Sequence, residues 1–310
     1  MLAFWPVELA DGGRDFVSRN IVGGRGYDAT FQIDMAAEDI VAGRLPNDAM
    51  ELRFRFDGGQ FFYVSTMTPV TEGQGSAVMV GNAMQITLDS GLIGDMRLSE
   101  GFVDLPRFNP KGALARFGGR AQASAQDVME LIDMEPLAIP SQYGIDPQSI
   151  SGQGDIQIEI IRPMLSNVPE EDLRFSVEAD FEDVSAPTGF GEIRLNDGIV
   201  HMTANESRIV ASGPVRFGPA PGHLTWTEDL TLDEDEASTV FQLEATLDSA
   251  AMDALGLPLR RFIDGEVVIQ AETLGEALEF ETVRVAADLT RATIEMPGEI
   301  WAKPSGADAQ

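Results

Sequence analysis

The sequence predicts a mainly β fold with a few short helices, and three observations carry that reading. Leu173, Phe175, Val177, Ala179 and Phe181 alternate strictly with Asp172, Arg174, Ser176, Glu178, Asp180 and Glu182. A period of two sends these two sets to opposite faces of a strand. The same alternation recurs at Ile156, Ile158 and Ile160, at Phe241, Leu243, Ala245 and Leu247, and at Val283, Val285, Ala287 and Leu289. Turn-forming strings such as Asp57-Gly58-Gly59 and Asp89-Ser90-Gly91 separate the apolar runs. Helical spacing, by contrast, is confined to three short stretches. A chain of this kind carries one long apolar face and one long polar face, so its function turns on what covers the apolar one.

The first helix is expected after Pro6, a residue suited to the first helical position. Leu9, Phe16 and Val17 share one of its faces, and Gly23 and Gly24 stop it. Strands follow at Thr30–Ile33, Glu51–Phe56, Phe61–Val64, Ala77–Val80, Gln85–Asp89, Asp95–Leu98 and Gly101–Leu105. The second helix spans Ala125–Met134, with Ser124 as its cap, Asp127 at the reciprocal position and Pro136 at its end. More strands are expected at Gly154–Ile160, Leu173–Phe181, Gly191–Leu195, Ile199–Thr203, Arg208–Ser212 and His223–Trp226. A third helix, Ser249–Leu255, is capped by Asp248 or Ser249 and closed by Gly256 and Pro258. Strands at Gly265–Ala271, Leu278–Leu289 and Ala292–Met296 finish the chain.

The order of helix, connector, glycine and buried strand occurs twice, once from Gln126 and once from Ser249. This weak internal repeat divides the chain into a first β unit (1–123), a second helix-plus-β unit (124–247) and the start of a third (248–310).

Composition excludes several classes of function. The chain has 310 residues, 51 acidic against 21 basic, for a net charge of −30. Such a charge repels nucleic acid, whose binding rests on phosphate neutralisation, and also repels anionic lipid surfaces. The hydrophobic fraction of 44% is ample for a core. The absence of cysteine removes disulfide and thiolate chemistry. No run approaches the roughly 18 apolar residues of a membrane span, and the first residues lack the basic and apolar parts of a signal peptide. The only lysines, Lys111 and Lys303, read as coding bias rather than mechanism.

Catalytic and metal-binding patterns are weak. His201 and His223 occupy strand positions with no HExxH motif and no second histidine nearby. The acidic run Asp233-Glu234-Asp235-Glu236 lacks the glycine and the alternation of a calcium loop. The 51 acids guarantee some close carboxylate pair, but none sits in the apolar, aromatic surroundings that raise a pKa. Gly23 to Gly26 and Gly73 to Ser76 do not have phosphate-loop spacing and read as turns. The Asn205-Glu206-Ser207 sequon is a common accident. Neither an enzyme nor a cofactor is expected.

Several strings taken together resemble a known family. They are Trp5-Pro6, Arg14 to Phe16, Asn20 to Gly24, Ser90-Gly91 with Gly94 to Val103, Ile150 to Gly154, Arg162-Pro163-Met164-Leu165, Asp288 to Pro297, and Trp301 to Pro304. Their order and spacing are similar to the central region of the AsmA-like superfamily, in its YhdP branch of Gram-negative envelope proteins. The resemblance implies repeated antiparallel β-sheet units forming an elongated curved trough with an apolar inner face. It also implies a role in carrying phospholipid acyl chains between inner and outer membranes, with no catalytic residues. The implied location is the periplasm, in proteins held to the inner membrane by an anchor expected upstream of Trp5. This chain therefore reads as a fragment, with membrane contact made through parts it does not contain and with unknown envelope partners.

Candidate lipid-lining residues are those of the cleanest strands: Ile156, Ile158, Ile160, Leu173, Phe175, Val177, Leu243 and Leu247. A sheet with one apolar face must bury it against another sheet, a helix or a ligand. The alternative is therefore a closed β-sandwich or solenoid, a structural or interaction module in which the same residues pack into a dry core.

Overall fold

The computed structural model describes residues 18, 21–42, 46, 49–63, 66–108, 110–135, 138–142, 144–165, 168–169, 172–232, 237–276, 279–295 and 301–307. Fourteen strands form one sheet in linear order. They are β1 (Ile21–Ile33), β2 (Met50–Phe61), β3 (Val70–Val80), β4 (Ala83–Ile93), β5 (Met96–Leu105), β6 (Leu114–Ser124) and β7 (Ser151–Pro163). They continue as β8 (Arg174–Pro187), β9 (Arg194–Asn205), β10 (Arg208–Phe217), β11 (Ala220–Asp229), β12 (Thr239–Leu247), β14 (Val267–Glu276) and β15 (Glu279–Asp288). Neighbours in the sheet follow one another in sequence, and β13 (Ile263–Gly265) leaves it to pair with β16 (Ala292–Glu295) and β17 (Ala302–Lys303). The mainly β, antiparallel expectation is met.

The chain divides into two compact units. The first is Met1–Ala123, Met134–Leu137 and Asp155–Val177; the second is Ser124–Asp133, Ala138–Gly154 and Glu178–Gln310. The stretch from 248 onward belongs to the second of these, because its helix packs on the end of that unit's sheet.

Among the described residues four short α-helices accompany the strands: α1 (Ala37–Ala42), α2 (Ala125–Ile132), α3 (Ile139–Gln142) and α4 (Ser249–Ala254). The two whose caps were legible form where expected. The Ser124 hydroxyl accepts from the Asp127 N–H at 3.0 Å and donates to the Asp127 carboxylate at 2.6 Å. Asp248 caps α4 by accepting from the Ala251 N–H at 2.7 Å, and Gly256 follows it at φ 74°. Helices α1 and α3 were not foreseen. The helix expected over residues 6–17 and the acidic run 233–236 lie outside the described residues.

The expected strand boundaries need correction in one consistent way. Strings read as turns lie inside strands. Residues 57–59 fall within β2, 89–91 within β4 and 73–76 within β3, while Gly23 and Gly24 belong to β1 rather than ending a helix. The two short strands expected at 95–105 are one, β5, interrupted at Glu100, which adopts φ 52°. Similarly, 191–203 is largely β9, with Asp197 at φ 49°. Register shifts accompany these residues at Thr71/Gln74, Ser99/Phe102 and Ser212/Arg216. An extra residue in one strand makes a bulge, which a left-handed residue permits without ending the strand.

Lys303 is also more than compositional chance. It is 2% exposed, and its ammonium donates to the carbonyls of Leu289, Ala292 and Pro304 at 2.9, 3.0 and 3.3 Å. Three donors meet three carbonyls, which is how a buried ammonium ties β17 to its neighbours.

Candidate functional site

In the first unit the register fixes which side chains share the apolar face. Phe54 pairs with Ala77, Ala77 with Ile86, Ile86 with Val103, and Val103 with Phe117. A second row crosses the same strands through Phe56, Gly75, Leu88 and Gly101. Polar groups hold the other face, where Arg116 meets Glu159 at 2.8 Å and Gln122 meets Asp155 at 3.0 Å. Those contacts put Asp155 and Glu159 on the polar side, so the intervening Ile156, Ile158 and Ile160 lie on the apolar side.

Large side chains on this face lie down over glycines. A Cβ on Gly75 would sit 2.8 Å from the Phe56 ring and 2.0 Å from the Thr87 carbonyl oxygen, and one on Gly101 would sit 2.9 Å from Leu88 Cβ. Glycines also approach one another across strands. A Cβ on Gly24 would be 2.9 Å from Gly59 Cα, and one on Gly119 2.9 Å from Gly101 Cα, while Gly59 and Gly73 are direct partners. The band gives the middle of the face a low floor flanked by Phe, Ile, Leu and Val.

That face is not a dry core. Phe54, Phe56, Phe61, Ile86, Val103, Phe117, Ile156, Ile160, Phe175 and Val177 are all half-buried, and Ile158 is 37% exposed. The central positions of two stacked sheets would be sealed. Sealing here is partial: within these rows Ala77 and Leu88 are buried, and Met50 and Met79 pack with Leu52, Met84 and Phe108 at one end.

The second unit repeats the arrangement. Ala211, Trp226, Phe241, Thr273 and Val283 form one row, and Gly213, Leu224, Leu243, Ala271 and Val285 the next. An aromatic ladder runs along it. Trp226 stacks on Phe241 with centroids 6.1 Å apart, Phe241 meets Phe280 edge-on at 6.1 Å, and Phe280 stacks on Phe190 at 5.2 Å. At one end α4 closes the face, burying Leu247, Val267 and Ala220 beneath Ala251 and Met252. Toward the other end Glu228, only 4% exposed, accepts hydrogen bonds from Ser238, from Thr239 at 2.6 Å and from the Trp226 indole at 3.4 Å.

The eight sequence-chosen residues therefore divide. Ile156, Ile158, Ile160, Phe175 and Val177 lie on β7 and β8 in the first unit, Leu173 directly precedes β8, and Leu243 sits in the open middle of the second unit's face. Leu247 is a correction, because at 2% exposure it is walled in by Met252 and Val267 and offers nothing to a ligand. The glycine band, the aromatic ladder and Glu228 escaped the sequence reading. An acid-to-glycine step recurring in β3, β5 and β9 (Glu72-Gly73, Glu100-Gly101, Asp197-Gly198) was the available signal for the band.

The histidines acquire partners that sequence spacing could not show. His201 Nδ1 lies 2.8 Å from Asp180 Oδ1, and His223 Nε2 lies 2.9 Å from the Ser212 hydroxyl, all on the polar face. The imidazole that meets Ser212 is not the one that meets Asp180, so the Ser–His–Asp order of a nucleophilic relay is divided between two rings. Among the described residues no three His, Asp or Glu side chains gather as a metal site. What the arrangement can do chemically is hold apolar matter against a long, partly open face.

The family described as YhdP protein matches residues 2–309. The chain belongs to the YhdP family. No curated protein and no solved structure matches it. Among the described residues of this YhdP-family chain, no helix is long and apolar enough to cross a membrane.

Proposed function

We propose that this chain is a non-enzymatic envelope protein segment that holds or conducts lipid acyl chains along its apolar face, on the periplasmic side. The observation that carries this reading is the half-buried state of the large apolar side chains at the middle of the strands, from Phe54 to Phe175 in the first unit. Membership of the YhdP family supports it. An acyl chain gains about 0.8 kcal/mol for each CH₂ it withdraws from water, so a tail of about sixteen carbons gains at most roughly 13 kcal/mol before its loss of freedom. The protein gains as well, since its own wet apolar surface is covered in the same step.

The test is organic extraction of the purified chain followed by mass spectrometry for phospholipid. About one or more lipid molecules per chain are expected, lost in Ile158→Asp and Phe175→Asp while circular dichroism shows the sheet intact. A lipid-free, cooperatively folding chain, or unfolding by both substitutions, would favour the sealed structural module instead.

A further inference from the structure

Arg162 is a charged residue on the first unit's apolar face that this reading leaves unexplained. It follows Ile156, Ile158 and Ile160 in the same phase of β7, so it stands on their side of the sheet. The strand stays paired to its end, with Met164 N–H donating to the Ala113 carbonyl at 2.9 Å and Gly112 N–H donating to the Met164 carbonyl at 3.3 Å. Arg162 thus closes an apolar stripe of three isoleucines about 13 Å long, at roughly 3.3 Å per residue. One leaflet of a bilayer's hydrocarbon core, about 15 Å deep, is of similar length.

The guanidinium is poorly provided for. Nη2 donates to the Leu165 carbonyl at 3.1 Å, while Nε is buried with no acceptor. No carboxylate pairs with it among the described residues. That is unexpected in a chain with 51 acids and 21 bases, where Arg116, Arg120, Arg284 and Arg291 each meet a carboxylate on exposed sites. The Nε donor of Arg162 is buried and unused while its outer end is exposed, so an arriving anion meets a cation with no ion pair to break. The planar guanidinium fork suits the oxygens of a phosphate group. The turn before β6 brings a second cation, Lys111, next to Gly112 at the same strand end.

We propose that Arg162 anchors the phosphate of a phospholipid headgroup whose tail lies along Ile160, Ile158 and Ile156. This rests on the acyl-chain reading above. A chain of net charge −30 repels small anions, so the phosphate is held only as part of a molecule whose tail is also bound.

The test loads the full chain from vesicles of phosphatidylglycerol and diacylglycerol with matched tails, then measures bound lipid by mass spectrometry. The native chain should prefer phosphatidylglycerol by about tenfold or more, the scale of a charge-assisted hydrogen bond. Arg162→Gln should take up both lipids equally with total uptake retained. Arg162→Lys should keep a reduced preference, and Arg120→Gln, on the polar face, should change nothing. If the native chain takes up neither lipid, the acyl-chain reading itself fails. Equal uptake by the native chain, or a preference that survives Arg162→Gln, overturns the Arg162 assignment and leaves acyl binding standing. Inorganic phosphate alone should not bind; binding that Arg162→Gln abolishes would make this a free-anion site and overturn the lipid assignment.

Discussion

Leu243 and Leu247 sit four residues apart on the same face of β12, in the same alternation, yet one is half-buried and the other is sealed. Leu247 packs with Met252, Ala251, Val267 and Ala220 beneath α4, whereas Leu243 lies between Leu224 and Ala271 in a row with no such lid. Strand periodicity treats the two alike. The difference comes from α4, which covers one end of the second unit's face and stops there. In the second unit the face is thus sealed beneath α4 and half-buried around Leu243.

The largest effect should come from placing a charge on each side of that divide. Met252→Asp buries an unpaired carboxylate in the sealed end, at a cost of several kcal/mol. Against a typical domain stability of about 5–15 kcal/mol, this should abolish or sharply lower the thermal transition of the second unit. Leu243→Asp keeps its charge within reach of water and should cost about 1 kcal/mol. Equal losses from the two substitutions, measured in urea titrations, would erase the distinction between lid and open face.

An intermediate effect is expected from the glycine band. Gly75→Ala drives its methyl group into the Thr87 carbonyl and the Phe56 ring, and should lower stability by about 1–3 kcal/mol. Gly26→Ala, whose nearest outside atom is the Arg55 carbonyl oxygen at 3.9 Å, should be tolerated. A Gly75→Ala chain with an unchanged urea midpoint would show that the face does not depend on close approach at its floor.

The smallest effect concerns the end of β11. The Thr231 hydroxyl, then its N–H, hold the Asp229 carboxylate below its ordinary value of 3.8. Because the folded value is the depressed one, any stability it supplies is present above the ordinary value and is lost as pH falls through the lower one. An NMR titration should place Asp229 below 3.8, moving upward in Thr231→Val with little change in melting temperature. The same low titration should persist in Leu243→Asp if the open middle does not hold the strand end in place. Its loss there would tie the two together.

Much of this was legible in the sequence, for identifiable reasons. Ile156, Ile158, Ile160, Phe175 and Val177 declared their face because strand geometry makes side-chain direction a matter of parity. Ser124 and Asp248 declared helix starts because capping is a local hydrogen bond. Arg162 was equally exposed to parity, but a single cation continuing an isoleucine stripe is easily taken for the end of a strand. The glycines misled because a turn and a bulge use the same residues, and only the opposing strand tells them apart. Gly59 is in a strand because Gly73 pairs with it.

The sequence by itself determined the alternating faces, the two capped helices and the acidic exterior, since each depends on residues within a few positions of one another. Tertiary structure alone decided that Leu247 is sealed while Leu243 is not, that Asp180 meets His201, and that Lys303 rests on three carbonyls. Each of these depends on a partner more than ten residues away or on another element of the fold, and no local periodicity encodes which partner arrives.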